Sequence, residues 1–210
     1  SLAHITASAV KKLWPEAKFG VGPVVENGFY YDIDLGELKI SESDFKKIEK
    51  EMRTIINQGQ EFDRFEMPVD EAHEWARARG QPYEEEVLND IKRTDTTGDA
   101  AIENVSFYKN GEFVDLCRGP HVANTKEVGA FKLMRVAGAY WRGKEGNAQM
   151  QRLYGVAFET QEELDSHLTM LEEAKSRDHR KLGKELDLYT VSPLVGAGLP
   201  LFTPRGTVLR

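Results

Sequence analysis

The chain has 210 residues, 40% of them hydrophobic and 30% charged, and a formal net charge of −7 at pH 7; this is the composition of a soluble globular protein able to bury a core. The acidic balance excludes a generally basic nucleic-acid binder, and with no apolar run approaching about 18 residues and no charged-then-apolar leader the chain reads as neither membrane-spanning nor secreted. Its single cysteine, Cys117, excludes an internal disulfide and fits the reducing cytoplasm.

Ser1 to Trp14 places Leu2, Ile5, Ala9, Leu13 and Trp14 roughly on one side of a helix that Pro15 ends, with His4 in its first turn. The abrupt helical start, without an initiator methionine, reads as a cut point. Phe19 to Val25 and Phe29 to Leu35 alternate as strands, and Asn27-Gly28 predicts a hairpin between them. Phe29, Tyr31, Ile33 and Leu35 share one face of the second strand, and Tyr30, Asp32 and Asp34 the other. Ser41 to Asp44 forms a capping box ahead of a helix whose core stripe is Phe45, Ile48, Met52, Ile55 and Ile56, closed by Gly59. A strand from Phe62 to Met67 follows, then a short helix bearing His73 and Trp75 that stops at Gly80.

Thr94 to Asn104 is polar with Gly98 inside and reads as a mobile loop. Val105 to Tyr108 and Phe113 to Leu116 form a second hairpin around Asn110-Gly111, and strands are expected at Phe131 to Val136, Ala139 to Arg142 and Gln149 to Phe158. Consecutive strands joined by tight turns predict an α+β fold, an antiparallel sheet built from hairpins with helices packed to one side. Thr160 to Glu163 caps a long C-terminal helix running to about Leu188, which at roughly 40 Å reads as an arm reaching beyond the domain. The Gly- and Pro-rich remainder breaks off at Val208-Leu209-Arg210, so a fragment of a longer protein is expected, divided into 1–159, 160–188 and 189–210.

Charge is uneven along this order. Between Cys117 and Tyr154 stand seven basic residues (Arg118, Lys126, Lys132, Arg135, Arg142, Lys144 and Arg152) against Glu127 and Glu145. Ordinary solvated faces are the plainer reading; the sharper one is a local basic track that takes phosphates.

That track begins beside the most chemically dense stretch, Asp115-Leu116-Cys117-Arg118-Gly119-Pro120-His121. The second hairpin delivers Cys117 at its exit, and Gly119-Pro120 turns the chain before His121. A lone thiol is more often buried filler than a site residue, but here it stands among His4, His121 and Asp115. Three chemistries compete for such a set: zinc held by His4, Cys117 and His121 with a water or fourth ligand, nucleophilic catalysis by a Cys/His pair, or a polar pocket that positions water on an ester. Spacing alone does not choose among them.

The opening Ser1-Leu2-Ala3-His4, the block Gly22-Pro23-Val24-Val25-Glu26-Asn27-Gly28-Phe29-Tyr30-Tyr31-Asp32 and the stretch Asp115 to His121 closely resemble the editing domain of bacterial threonyl-tRNA synthetases. So do Phe131-Lys132-Leu133-Met134, Gly138-Ala139-Tyr140-Trp141-Arg142-Gly143 and Arg177-Asp178-His179-Arg180-Lys181-Leu182-Gly183. The resemblance implies an editing domain over 1–159, a linker helix over 160–188 and the start of a class II catalytic domain over 189–210. The family signature, H-x3-H followed by C-x3-H, is shared with the zinc-dependent editing domain of alanyl-tRNA synthetase. His4 matches its second histidine, and Cys117 and His121 its second half; its first histidine would fall before Ser1. After Gly80-Gln81-Pro82-Tyr83 the family usually places a lysine that points into the pocket, whereas this chain has Glu84, which as the first of three glutamates also fits a surface helix start.

The implied activity is hydrolysis of the ester of mischarged seryl-tRNA(Thr), releasing serine and tRNA(Thr). Losing one methyl changes binding in a pocket by only about 1–3 kcal/mol, so a synthetic site rejects serine poorly and a second site must remove it. The expected scheme uses no metal: His4 and His121 orient water and ribose, Asp115 fixes the pocket's hydrogen bonds or the substrate amine, and Cys117 shapes the serine slot. Tyr31, Glu84 and Arg118 are expected on the substrate side. The rival readings are a tRNA acceptor-arm binding module without hydrolytic activity and a zinc-dependent deacylase. The resemblance also implies a parent enzyme that joins threonine to tRNA(Thr) with ATP, Mg and Zn in its catalytic domain, as a cytoplasmic homodimer.

Overall fold

A computed structural model of the chain describes residues 1–95, 102–192, 196 and 198–209. Most of the expected loop at Thr94 to Asn104 lies outside the described residues. The chain divides into two compact units, Ser1–Gln161 and Glu162–Arg210.

In the first unit, helix α1 (Leu2–Leu13) is followed by strands β1 (Lys18–Phe19), β2 (Val24–Val25) and β3 (Gly28–Asp34), then helix α2 (Phe45–Gln58). Strand β4 (Asp63–Pro68), helices α3 (Val69–Ala78) and α4 (Pro82–Asp95), and the hairpin β5 (Asn104–Asn110) and β6 (Phe113–Leu116) come next. Strands β7 (Ala130–Tyr140) and β8 (Gln149–Phe158) complete it. One antiparallel sheet runs β1-β3-β8-β7 with β2 also on β3, and a second runs β4-β5-β6. The α+β class and the antiparallel pairing are as the sequence predicts.

Phe29, Tyr31 and Ile33 of β3, with Phe131, Leu133 and Leu153, bury against α1 and α2 in the main core. A smaller core joins Val69, Ala72 and Ala76 of α3 and Leu88 of α4 to Val105 and Phe107 of β5. The second hairpin serves both cores because its side chains alternate: Tyr108 and Phe113 belong to the main core, Phe107, Val114 and Leu116 to the smaller one. Asp115 lies buried on that strand, on the face it shares with Phe113.

Four local expectations change. Helix α1 is not one-sided: every residue from Leu2 to Val10 is buried, including His4, Thr6 and Ser8, the pattern of a helix with neighbours all round. Both hairpins exist, but their turn centres shift by one residue. Val25 pairs with Gly28 and Asn110 with Phe113, leaving Glu26-Asn27 and Gly111-Glu112 as the loops. Gly28 is needed inside its strand because a Cβ there would stand 2.1 Å from the Gly155 carbonyl oxygen. The strands expected at Phe131 to Val136 and Ala139 to Arg142 are one strand, β7, with a register shift between Leu133 and Arg135; the bulge inverts the side-chain alternation and so mimics a break in the pattern. Glu84 is not a surface residue of the α4 start but 5% exposed.

The second unit corrects the long arm. Helix α5 (Gln161–Ser176) ends before Asp178, whose side chain accepts from the Arg180 amide and caps a separate short helix, α6 (His179–Glu185). Aspartate favours such a cap over a helix interior, so the one expected helix divides into two. Strands β9 (Tyr189–Val191) and β10 (Pro200–Phe202) pair antiparallel, and α7 (Pro204–Leu209) follows. No helix among the described residues is long and apolar enough to cross a membrane.

Candidate active site

At the end of β6 the Cys117 amide still donates to the Ser106 carbonyl at 3.1 Å, and the Ser106 hydroxyl donates to the Cys117 carbonyl at 2.7 Å. The chain then turns sharply. Gly119 has φ 75°, and a Cβ there would meet the Tyr108 hydroxyl at 2.3 Å, so the position requires glycine on both counts. Its amide donates to Cys117 Sγ at 3.3 Å, and the turn, with a cis Gly119–Pro120 bond, returns His121 Nε2 to 3.4 Å from the same sulfur. His121 is held by stacking on Phe62, ring centroids 4.9 Å apart, by the edge of Tyr108 at 4.4 Å, and by Ser1 Oγ 3.2 Å from its Nδ1.

From the opposite side α1 brings in His4, whose ring centroid lies 4.3 Å from that of His121. His4 Nε2 is 3.2 Å from Asp115 Oδ2, and its Nδ1 is buried without a hydrogen-bond partner among the described residues. Burial, then the neighbouring His121, lowers the His4 pKa well below the usual imidazole range, so the ring is neutral. With Nε2–H donated to Asp115, Nδ1 carries the free lone pair. Burial also lowers His121, to about 4. The Cys117 thiol is pushed up by burial, which keeps it protonated and a poor nucleophile.

Asp115 is the hub of the polar network. The buried Tyr31 hydroxyl donates to its Oδ2, and Glu84, buried in the first turn of α4, feels its charge. Burial, followed by the Asp115 charge, raises Glu84 to about 8; burial raises Asp115 to about 6, opposed by the hydrogen bonds from Tyr31, the Leu116 amide and Glu84. Burial thus holds both carboxyl groups above the usual carboxylate range. Tyr31 is held neutral by burial and by Asp115.

Of the residues expected in the site, the fold gathers His4, Tyr31, Glu84, Asp115, Cys117 and His121. Arg118 is exposed and stands apart, lining with Cys117, Leu116, Val87 and Val105 a neighbouring cavity of about 500 Å³. A cleft of about 540 Å³ lies behind Glu84 and Phe113 and includes none of His4, Cys117 and His121, so the larger hollow is not where the chemistry converges. The basic track is partly neutralised: Arg142 pairs with Asp90 at 2.5 Å, and Arg152 makes two bonds to Asp32 at 2.6 and 2.8 Å. Phe62 and Tyr108 were not expected in the site. Tyr108 pairs directly with Asp115 across the second hairpin only because its turn is shifted by one residue from the expected one; Phe62 carries no local signal.

His4, Cys117 and His121 each offer a ligand atom within 4.8 Å of the others. Two imidazoles and a sulfur with one buried, unpartnered nitrogen form a donor set that fits zinc. The same set, with nothing bound, is a pocket of neutral donors and acceptors around a small thiol.

Residues 105–154 match the family described as the threonyl and alanyl tRNA synthetase second additional domain. The chain is 50% identical over 208 residues to a threonine–tRNA ligase of Acetivibrio thermocellus, 51% over 208 residues to one of Clostridium acetobutylicum and 49% over 210 residues to one of Oceanobacillus iheyensis. The alignments cover 99–100% of this chain but 31% of each relative. With about half its residues identical along its whole length and the second-additional-domain match inside it, the chain is a homologue of one segment of threonine–tRNA ligases and spans 31% of the length of these relatives.

Proposed function

We propose that this chain is an editing module that hydrolyses the ester of seryl-tRNA(Thr), releasing serine and tRNA(Thr). The observation that carries the reading is the convergence of His4 and His121, from distant parts of the sequence, beside Cys117, with Asp115 against His4. An aminoacyl ester is already activated, so a positioned water and a group to accept its proton suffice. The bare Nδ1 of His4 takes that proton, and Asp115, on the far side of the ring, stabilises the resulting imidazolium. His121 and the vicinal hydroxyl of the terminal ribose orient the water and the leaving oxygen. Cys117, a neutral thiol, bounds the slot for the serine side chain and leaves no room there for the extra methyl of threonine.

The test is deacylation of seryl-tRNA(Thr) beside threonyl-tRNA(Thr). Hydrolysis of the first and sparing of the second are expected, and loss on replacing His4 or Cys117 by alanine. A tRNA-docking module would bind both and cleave neither. The zinc-fitting donor set favours one second reading, in which His4, Cys117 and His121 hold zinc and the bound ion lowers the pKa of a water. Stoichiometric zinc in protein purified without chelator would replace the metal-free scheme with this one. The boundaries 1–159, 160–188 and 189–210, as editing domain, linker and catalytic-domain start, belong to the same proposal. So do the tRNA acceptor end and serine as partners, the exposed Arg118 as a tRNA contact, and a cytoplasmic, homodimeric parent that ligates threonine with ATP, Mg and Zn.

A further inference from the structure

We infer that the face of the main sheet turned away from α1 and α2 binds single-stranded RNA, stacking unpaired bases on Tyr30, Tyr154 and the guanidinium groups over them and pairing phosphates with Arg135 and Lys132. The inference goes beyond the editing reading: it concerns the face of β3 opposite Tyr31 and does not depend on hydrolysis.

Phe29, Tyr31 and Ile33 of β3 enter the main core, where Tyr31 reaches Asp115, so Tyr30 and Asp32 take the other face. Three rows cross that face in register on β3, β8 and β7. They are Gly28, Val156 and Lys132, then Tyr30, Tyr154 and Arg135, then Asp32, Arg152 and Ala137. The bulge in β7 sets the middle row. After Leu133, which pairs with Gly155, regular pairing would put Met134 opposite Tyr154; the extra residue brings Arg135 there instead. Arg135 lies over the Tyr154 ring with its guanidinium carbon 4.1 Å from the centroid, and Arg152 lies over Tyr30 at 4.1 Å. The two tyrosine rings are 5.6 Å apart. Asp32, itself buried, fixes the Arg152 guanidinium with two bonds.

Helix α4 closes this face only at the end beyond Asp32, where Tyr83 and Trp141 bury Met150 and the Tyr83 hydroxyl donates to Asp34 at 2.5 Å. Tyr30 and Tyr154 are partly exposed, and Lys132 and Arg135 are exposed. Asp32 neutralises Arg152, but neither Lys132 nor Arg135 forms an ion pair among the described residues. In a chain of net charge −7 this is a local excess of positive charge laid over planar groups. A phosphate backbone complements the cations, and base faces stack on tyrosine rings and guanidinium planes. An antiparallel sheet with helices on one side and aromatic rings on the open side is also how a common RNA-binding module holds unpaired bases. In a duplex the base faces are covered by neighbouring pairs, so single strands fit this surface and double helices do not. An acidic peptide would use the charges and leave the rings without a role.

The experiment measures binding of the full chain to a fluorescein-labelled single-stranded RNA of about 12 nucleotides, within the span that one such groove accommodates, beside the same strand annealed to its complement. The single strand is expected to bind more tightly than the duplex. Tyr154→Leu, which keeps apolar bulk and removes the ring, is expected to weaken single-strand binding by roughly 5–100-fold, the loss seen when a base-stacking aromatic is truncated. Arg135→Gln and Lys132→Gln, both at exposed positions, should each reduce the slope of log affinity against log salt by about 0.7, the contribution of one phosphate contact to a single strand. Ultraviolet cross-linking of wild type, mapped by mass spectrometry, should label Tyr30 or Tyr154, a readout that does not depend on any variant folding. Absence of single-strand binding, cross-links confined to other surfaces, or unchanged affinity and salt slope in all three variants overturns the inference. So does self-association of the chain without RNA that Arg135→Gln abolishes, which would assign the face to a second copy. Binding is read without hydrolysis, so failure here leaves the editing reading standing, and failure to deacylate seryl-tRNA(Thr) leaves this inference standing.

Discussion

The Tyr31 hydroxyl is buried against Asp115 and has no water to fall back on. Removing a donor from a buried carboxylate costs about 1–3 kcal/mol, because the acceptor keeps its desolvation penalty. Tyr31→Phe should therefore lower the unfolding free energy by that amount, read as a lower urea midpoint with an unchanged slope, since the ring still fills its place; an unshifted midpoint would show that the bond contributes nothing net. Glu84 gives the opposite case, a buried group whose contribution depends on pH. Its folded pKa of about 8 stands above the ordinary 4.5, so the native state keeps a proton that the unfolded chain gives up. The associated stability is present below about pH 4.5 and is lost as pH rises through about 8, at a slope of at most about 1.4 kcal/mol per pH unit. Glu84→Gln should flatten that slope in denaturation curves taken between those limits, and an identical slope in the variant would assign it to other groups.

At the scale of elements, the turn after β6 works because its neighbours are pinned, and Thr125 is one of the pins. It is fully buried, its hydroxyl accepts from the Gln60 amide at 2.9 Å and donates to the Ile55 carbonyl at 3.2 Å, and so it ties the end of α2 to the segment after His121. Thr125→Val keeps the shape and strands both backbone groups, at an expected cost of about 1–3 kcal/mol in chemical denaturation. Thr125→Ser should recover most of that loss, and equal damage in both variants would point to packing instead. Helix starts, hairpins and the Cys117–His121 pairing were legible in the sequence because each depends on residues a few positions apart. Periodicity failed where a distant neighbour changed its meaning. The full burial of α1 depends on strands and a helix that surround it, the bulge in β7 inverts its alternation, and Asp178 turns one expected helix into two. Glu84 shows the same limit within the site: the resemblance puts its position on the substrate side, but nothing local in three glutamates at a helix start says that the first is buried together with Asp115 of β6.

Across the whole molecule, burial is distributed very unequally. The three buried clusters draw all their members from Leu2 to Ala157, the core of the first unit. In the second unit Leu164 is the one large apolar side chain that is fully buried among the described residues. Leu186, Val191, Leu201 and Phe202 are 40–53% exposed, and Val208 is 87% exposed. The β9–β10 hairpin has two strands of three residues each, a size that is marginal in water without a covered face. Local opening free energy follows buried apolar contact, so the amides of α6, β9 and β10 should exchange with deuterium well before those of β3 and β8, whose side chains line the main core. Hydrogen-exchange mass spectrometry on the intact chain reads this directly. Equal protection in the two regions would mean that the second unit is stabilised by more than its own burial. Early exchange confined to residues after 176 would place the boundary of the stable body within the helical segment, where Asp178 begins a new helix rather than continuing the first.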